Sequence, residues 1–266
     1  MSFDLGPALL FCPADRPERY AKAAERADAV ILDLEDAVAP EQREAAREAL
    51  VAHPLDPATT IVRVNPSGTD DFERDLVALG STNYRTVMLA KATSAGRLAD
   101  YEVIALCETA AGVLAAPVLA AAPNVVALMW GAEDLVASLG GTASRFRDGH
   151  YRAVALHARS AVLIAAGAYS KAAIDTVHLD IADTAGLGAE ARDAAASGFA
   201  ATACIHPDQV ATIREAYAPS EEQVEYARAV LEAGEREHGV FVFRGGMVDG
   251  PLLALARRVL AREGAR

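Results

Sequence analysis

The chain has 266 residues, and 25 Lys and Arg against 37 Asp and Glu leave it with a net charge of −12. At 52% hydrophobic and 23% charged residues it has the composition of a core-forming globular protein, which excludes disordered and fibrous classes. The acidic balance, without a Lys/Arg run interleaved with aromatics, argues against nucleic acid and anionic membranes as partners.

At about 150 residues per domain the length fits one or two domains, and α/β barrels of roughly 250 residues fold as one. The segment Met1-Ser2-Phe3-Asp4-Leu5-Gly6-Pro7 has no basic stretch followed by an apolar one, and outside alanine-rich helices no run of about 18 residues is free of polar breaks. A cytoplasmic protein without a membrane span is expected. Cys12, Cys107 and Cys204 are odd in number, far apart and each inside an apolar run, the pattern of reduced, buried thiols.

Short runs rich in Val, Ile and Leu alternate with longer segments of helical period. The predicted strands are 8–12, 29–34, 61–64, 87–89, 103–107, 125–129, 173–177 and 201–205. After the first, Pro17 marks a helix start with Ala21, Ala24 and Ala27 as its small apolar face; after the second, Pro40 leads into a helix that turns Ala45, Ala49 and Leu50 inward and Glu and Arg outward. Helical intervals are expected after the remaining strands. A long alanine-rich helix spans 151–168, and another around 189–196 ends at Gly198. Continuously apolar strands alternating with helices imply a parallel sheet buried on both faces. Eight of them fit a (β/α)8 TIM barrel, with a doubly wound sheet as the alternative at fewer strands. Residues 217–266 break the repeat: a helix over 221–237, an extended 240–243, Gly245-Gly246, then a helix from Pro251. They read as a C-terminal arm appended to a barrel of residues 1–216.

In a parallel barrel the reactive groups stand at the carboxyl ends of the strands. Here those ends carry Asp33, Glu35 and Asp36 (strand two), Arg63 and Asn65 (strand three), Lys91 (strand four), Glu108 (strand five), Glu133 and Asp134 (strand six) and His206 (strand eight). Glu108 and Asp134, on neighbouring strands, suit a hard cation that takes oxygen ligands and keeps its waters, which is how Mg2+ binds; zinc would ask for His or Cys spacing. The alternative roles are helix caps, Asp134 for the following helix and Glu108 before Thr109-Ala110. Arg63 lies inside an apolar run, so its fork is held among buried groups and aimed at a carboxylate or an oxyanion, with an ion pair to Glu35 or Asp36 as a compatible structural role. Arg16 and Lys22 are cations that suit a phosphorylated ligand, or ordinary surface charges.

Taken together, the runs Phe11-Cys12-Pro13-Ala14-Asp15-Arg16-Pro17-Glu18, Asp33-Leu34-Glu35-Asp36-Ala37-Val38, Arg63-Val64-Asn65, Glu108-Thr109-Ala110, Trp130-Gly131-Ala132-Glu133-Asp134-Leu135 and Ile205-His206-Pro207-Asp208-Gln209 resemble the citrate lyase β-subunit-like (CitE-like) proteins, over nearly the whole chain. Their wider group of metal-dependent carbon-carbon lyases includes malyl-CoA, citramalyl-CoA and citryl-CoA lyases. The resemblance implies a TIM barrel with Mg2+ on Glu108 and Asp134, and a substrate-binding arginine at Arg63. It places Asp33, Glu35 and Asp36 near the metal waters, and Arg16 and Lys22 at the coenzyme A moiety. Gly131, Ala132 and Glu133 fall to substrate or coenzyme A binding, and Asp249, in Met247-Val248-Asp249, to a neighbouring subunit's site. Trimers or hexamers follow from it, as does an arm that packs on the barrel and on the next protomer. The family's Pro-Lys pair reads Ala90-Lys91 here, and a Gly-Lys before the last strand reads Ala201-Thr202. The implied activity is cleavage of a carboxylate-bearing 3-hydroxyacyl-CoA to acetyl-CoA and a 2-oxo acid. A metal-dependent aldolase of pyruvate or another 2-oxo acid, and a carrier-dependent β subunit of a citrate lyase complex, are the alternatives.

Overall fold

The computed structural model describes residue 3, residues 5–237 and residues 239–263. Met1, Ser2 and Asp4 of the N-terminal segment, and the last three residues of the arm, lie outside the described residues. Eight strands, β1 (Ala8–Pro13), β2 (Ala29–Asp33), β3 (Thr60–Val64), β4 (Thr86–Leu89), β5 (Glu102–Cys107), β6 (Val125–Trp130), β7 (Ala172–Asp175) and β8 (Ala201–Cys204), form a closed barrel, each parallel to the next, with β8 returning to β1. Leu9, Ile31, Ile61, Met88, Ile104, Leu106, Met129 and Ile174 fill its core. This is the (β/α)8 fold expected from continuously apolar strands, since both faces of every strand are covered.

The strand limits differ from the predicted ones by a residue or two, the usual margin. The informative case is β7. Its ladder stops at Asp175 because that carboxylate accepts the next backbone N–H, of Thr176, at 3.0 Å, so residues 176–177 leave the sheet.

The helices are α1 (Tyr20–Arg26), α2 (Arg43–Ala52), α3 (Asp70–Leu79), α4 (Ala110–Ala121), α5 (Ala132–Ser138), α6 (Ala153–Ala168), α7 (Thr184–Ser197) and α8 (Gln209–Tyr217). The interval after β4 holds only a 3-10 turn, Gly96–Leu98. Two predicted helix faces are corrected. In α1 the buried residues are Tyr20 and Ala23, while Ala21 and Ala24 are exposed and Ala27 is buried beyond the helix end. In α2 Ala46, Arg47 and Leu50 face inward and Ala45 is exposed. Arg47 turns inward because its Nε reaches Asp75 at 2.8 Å and its Nη2 reaches Asp71 at 2.6 Å, a buried cation hydrogen-bonded to α3. The three cysteines are free and buried.

The described residues divide into two compact units, up to Ile213 and from Arg214 onward. The second comprises α9 (Glu221–Arg236), a hairpin of β9 (Phe241–Phe243) and β10 (Gly246–Val248), and α10 (Gly250–Glu263). It has its own apolar cluster of Ala227, Val230, Val248 and Ala256. Tyr226 meets Phe243 edge-on at 5.7 Å, and a Cβ on Gly234 would sit 3.0 Å from Leu253, so α9 and α10 approach closely there. Among the described residues no helix is long and apolar enough to cross a membrane.

Candidate active site at the carboxyl ends of the strands

The site begins at the end of β2. Asp33 is fully buried and receives the Arg63 fork, Nε to Oδ1 at 2.6 Å and Nη2 to Oδ2 at 2.5 Å. The same two oxygens accept the backbone N–H groups of Glu35 and Ala37, each at 2.9 Å. A carboxylate has about four lone-pair sites, and all are engaged, so Asp33 orients Arg63 and the loop and has none left for a metal water. The expected partner Glu35 is present as well, its Oε2 3.3 Å from Arg63 Nη1. The guanidinium carbon lies 4.8 Å from the centre of the Phe11 ring. Burial works against the charge of Arg63, but Asp33, Glu35 and Glu108 outweigh it and raise its pKa.

Lys91, noted in the sequence only as a rim charge, joins the two halves of the site. It holds a left-handed backbone, φ 50°, which turns its N–H onto Glu108 Oε1 at 3.0 Å. Its ammonium donates to Glu35, and to Asp36 at 3.1 Å, and stands 3.5 Å from Asp134. Burial alone would lower the Lys91 pKa; its acidic partners, Glu35 first, raise it instead. Burial raises Glu35 despite Arg63 and Lys91. For the more exposed Asp36, burial is outweighed by Lys91 and the pKa falls.

Glu108 and Asp134 stand where the sequence placed them, and neither is a helix cap. Thr109 caps α4 by accepting the Gly112 N–H at 3.0 Å, which leaves Glu108 on the rim. Gly131 is the N-cap of α5, so Asp134 lies within its first turn. Glu108 is buried, and the Lys91 N–H is its one hydrogen bond among the described residues. Burial pushes its pKa up to about 8; Arg63 and Lys91 pull it down, while Asp134 and Glu35 push it further up. Gly131 makes room for it, because a Cβ there would lie 2.7 Å from Glu108 Cβ and 3.1 Å from its Oε2.

This donor set fits a hard divalent cation. It consists of oxygens, and one member, Glu108, is a buried carboxyl whose ionised form a cation beside it would favour. No cluster of three or more His, Cys, Asp or Glu is arranged for a metal among the described residues.

The other predicted residues are spread more widely. Arg16 is 56% exposed, with Asp15 3.8 Å away, and Lys22 is exposed on α1. Ala132 is buried at the start of α5; Glu133 accepts the Ser144 hydroxyl at 2.5 Å. His206 sits in a turn, its N–H held by Gln209 at 3.2 Å, and Asn65 is taken up by Asp75 and the Leu34 carbonyl. Asp249, in the second unit, accepts the Leu252 N–H of α10 at 3.2 Å.

A second polar cluster went unread in the sequence. Past β7, His178 Nδ1 bonds Glu190 at 2.9 Å, Glu190 also binds Arg145, and the Arg145 guanidinium stacks 3.6 Å over Tyr151. These residues line a cavity of about 710 Å3 between α6 and α7. The only signal was the pairing of His178 and Glu190 twelve residues apart across a loop, which no periodicity exposes.

Parallel barrels with ionisable groups at this rim form a broad class of enzymes, and this chain is one of its lyases. More narrowly, residues 8–102 and 91–207 match the HpcH/HpaI aldolase/citrate lyase family, to which the chain belongs. It is 57% identical to a citrate lyase subunit beta-like protein of Mycobacterium tuberculosis, over 97% of this chain and 96% of that one. It is 31% identical to the mitochondrial citramalyl-CoA lyase of Homo sapiens, over 95% of this chain and 84% of that protein. Among solved structures, CitE from Mycobacterium tuberculosis in complex with magnesium, acetoacetate and coenzyme A superposes with a TM-score of 0.94 at 57% identity, covering 97% and 98% of the two chains.

Proposed function

We propose that the protein cleaves a 3-hydroxyacyl-CoA bearing a carboxylate, such as citramalyl-CoA or malyl-CoA, into acetyl-CoA and a 2-oxo acid, with Mg2+ held by Glu108 and Asp134. The observation that carries this reading is the buried, under-compensated Glu108 beside Asp134 and an Arg63 already locked by Asp33. The similarity to a CitE structure that holds magnesium, acetoacetate and coenzyme A together, and to citramalyl-CoA lyase, supports it.

Mg2+ held by Glu108 and Asp134 would supply Lewis acidity toward the oxygens of the substrate. Two of the five N–H groups of Arg63 are committed to Asp33, which leaves donors for the thioester oxygen as negative charge moves onto it. The hydroxyl proton passes to solvent water, the carbon-carbon bond breaks to give the 2-oxo acid, and the thioester enolate takes a proton at carbon to become acetyl-CoA. Asp249 of a neighbouring protomer delivers that proton. Glu35 and Asp36 hold Lys91 and position metal waters. Arg16 and Lys22, with Gly131, Ala132 and Glu133, contact the coenzyme A and acyl portions. The working form is a cytoplasmic homotrimer in which the arm of residues 217–266 packs on the next protomer. Leu114 and Val118, one turn apart on α4 and 83% and 71% exposed, support burial in an assembly.

The test is a coupled assay for 2-oxo acid release from malyl-CoA, citramalyl-CoA and hydroxymethylglutaryl-CoA, with Mg2+ and with EDTA. Metal-dependent cleavage that Asp134→Ala abolishes is expected. Activity only with an acyl-carrier partner supports the carrier-dependent subunit instead, and pyruvate-aldehyde condensation without coenzyme A supports the aldolase.

A further inference from the structure

Asp175 closes β7 and is buried, yet no step above uses it. Its Oδ1 accepts the indole N–H of Trp130 at 2.5 Å and the Nε of Arg159 at 3.1 Å; its Oδ2 accepts Arg159 Nη2 at 2.9 Å. Arg159 is tied back in turn to Asp193 at 2.7 Å and packs 4.7 Å over the Phe199 ring. A charged acceptor thus holds the indole from one side. From another, the Tyr151 ring meets it edge-on at 5.3 Å, and Trp130 is fully buried.

What this holds in place is the metal-binding corner. Trp130 is the last residue of β6 and pairs in register with Cys107, so the next residues, Gly131 and Glu108, stand side by side. Their contact has no slack, because the space of a Gly131 Cβ is already filled by Glu108. Asp134 follows in the first turn of the helix that Gly131 caps. The residue that Asp175 holds is therefore one position from Gly131, whose missing Cβ makes room for Glu108, and four from Asp134.

We infer that Asp175 is a positioning residue for the metal site: through the Trp130 indole N–H it sets the spacing of Glu108 and Asp134. The inference rests on the proposal that those two carboxylates hold the metal. Groups that orient metal ligands from outside typically govern affinity by about 10- to 100-fold.

The experiment titrates Mn2+ into the metal-free protein, by its electron paramagnetic resonance signal, for wild type, Asp175→Asn, Arg159→Lys and Glu108→Gln. Emission of Trp130, the single tryptophan of the chain, is recorded alongside. Asp175→Asn is expected to weaken Mn2+ binding about tenfold, to shift the tryptophan emission, and to raise the Mg2+ concentration for half-maximal activity with kcat largely recovered at saturation. Arg159→Lys keeps the charge but loses the fork, and its expected effect is about threefold in the same direction. If Asp175→Asn does not fold, judged by circular dichroism, Arg159→Lys decides. Wild-type Mn2+ affinity and emission in the folded variants overturn the inference while the metal assignment stands. Wild-type affinity in Glu108→Gln overturns the metal assignment, and the inference with it.

Discussion

Two buried ionic clusters lie at the carboxyl ends of the strands, and they are balanced in opposite ways. Around β2 to β6, the cations facing Asp33, Glu35, Asp36, Glu108 and Asp134 among the described residues are Arg63 and Lys91. Past β7, Glu190 lies between Arg145 and His178, and its pKa falls to about 2 although burial opposes it. Glu108, 3% exposed where the Glu190 side chain is 31% exposed, is instead pushed up to about 8. The difference teaches which cluster is finished. Where Arg145 and His178 flank Glu190, the carboxylate is held ionised by its own neighbours; at Glu108 burial outweighs Arg63 and Lys91, and a cation beside it would favour the ionised form.

The sharpest way to break the comparison is Glu108→Gln. It replaces the ionisable carboxyl that would bind a cation by a neutral amide and is expected to lower kcat/KM for thioester cleavage by about 10³-fold. Stability should hold or improve in the same variant, because a neutral amide is easier to bury. An activity loss matched by a large loss of stability in urea melts would mean that Glu108 is structural.

Next in size is Gly131→Ala, which leaves every charge in place. The added methyl collides with the Glu108 side chain, and a displacement of this kind is expected to cost about 10²-fold in kcat/KM. Unchanged kinetics would show that the corner can relax.

The balanced cluster should respond in stability and not in metal binding. Glu190→Gln is expected to destabilise the protein by about 2 kcal/mol in urea melts at neutral pH with unchanged Mn2+ affinity. The pKa of Glu190 is lower folded than unfolded, so its contribution is present above the ordinary glutamate value near 4.5 and is lost as pH falls toward about 2. The gap between wild type and Glu190→Gln should narrow over that window.

The smallest expected effect is at His178, whose pKa is raised chiefly by its hydrogen bond to Glu190. Its contribution is complete below about 6.5, the unfolded value, and is lost as pH rises through the higher folded value. His178→Gln is expected to cost about 1 kcal/mol in melts at pH 6 and less at pH 9. An equal cost at both would mean that the side chain matters only as packing.

The rim cluster around Arg63 and Glu108 was far more legible in the sequence than the cluster past β7. Its members each follow an apolar strand, so the barrel rule alone gathers Glu35, Arg63, Lys91, Glu108 and Asp134 on one rim. Arg145, His178 and Glu190 sit on two loops and a helix, and their pairing depends on how α6 and α7 lean together. Asp175 was hidden differently, since an apolar run reaching Val177 put it inside a strand that its own side chain cuts short.

The helix faces were the least legible part. In α2 the buried side includes a residue chosen by a contact distant in sequence, since Arg47 turns inward to reach Asp75 on α3.

By itself the sequence determined the number and kind of strands, the closed parallel barrel they imply, and the acids, arginine and lysine at their ends. Those follow from local composition and a period of one strand per helix. The tertiary structure alone decided which carboxylate each cation serves: that Asp33 is spent on Arg63, that Lys91 bridges Glu35 to Asp134, and that Glu108 is left wanting a partner. Ion pairing and desolvation are set by distances between strands, and barrel closure fixes those distances between residues that lie tens of positions apart in the chain.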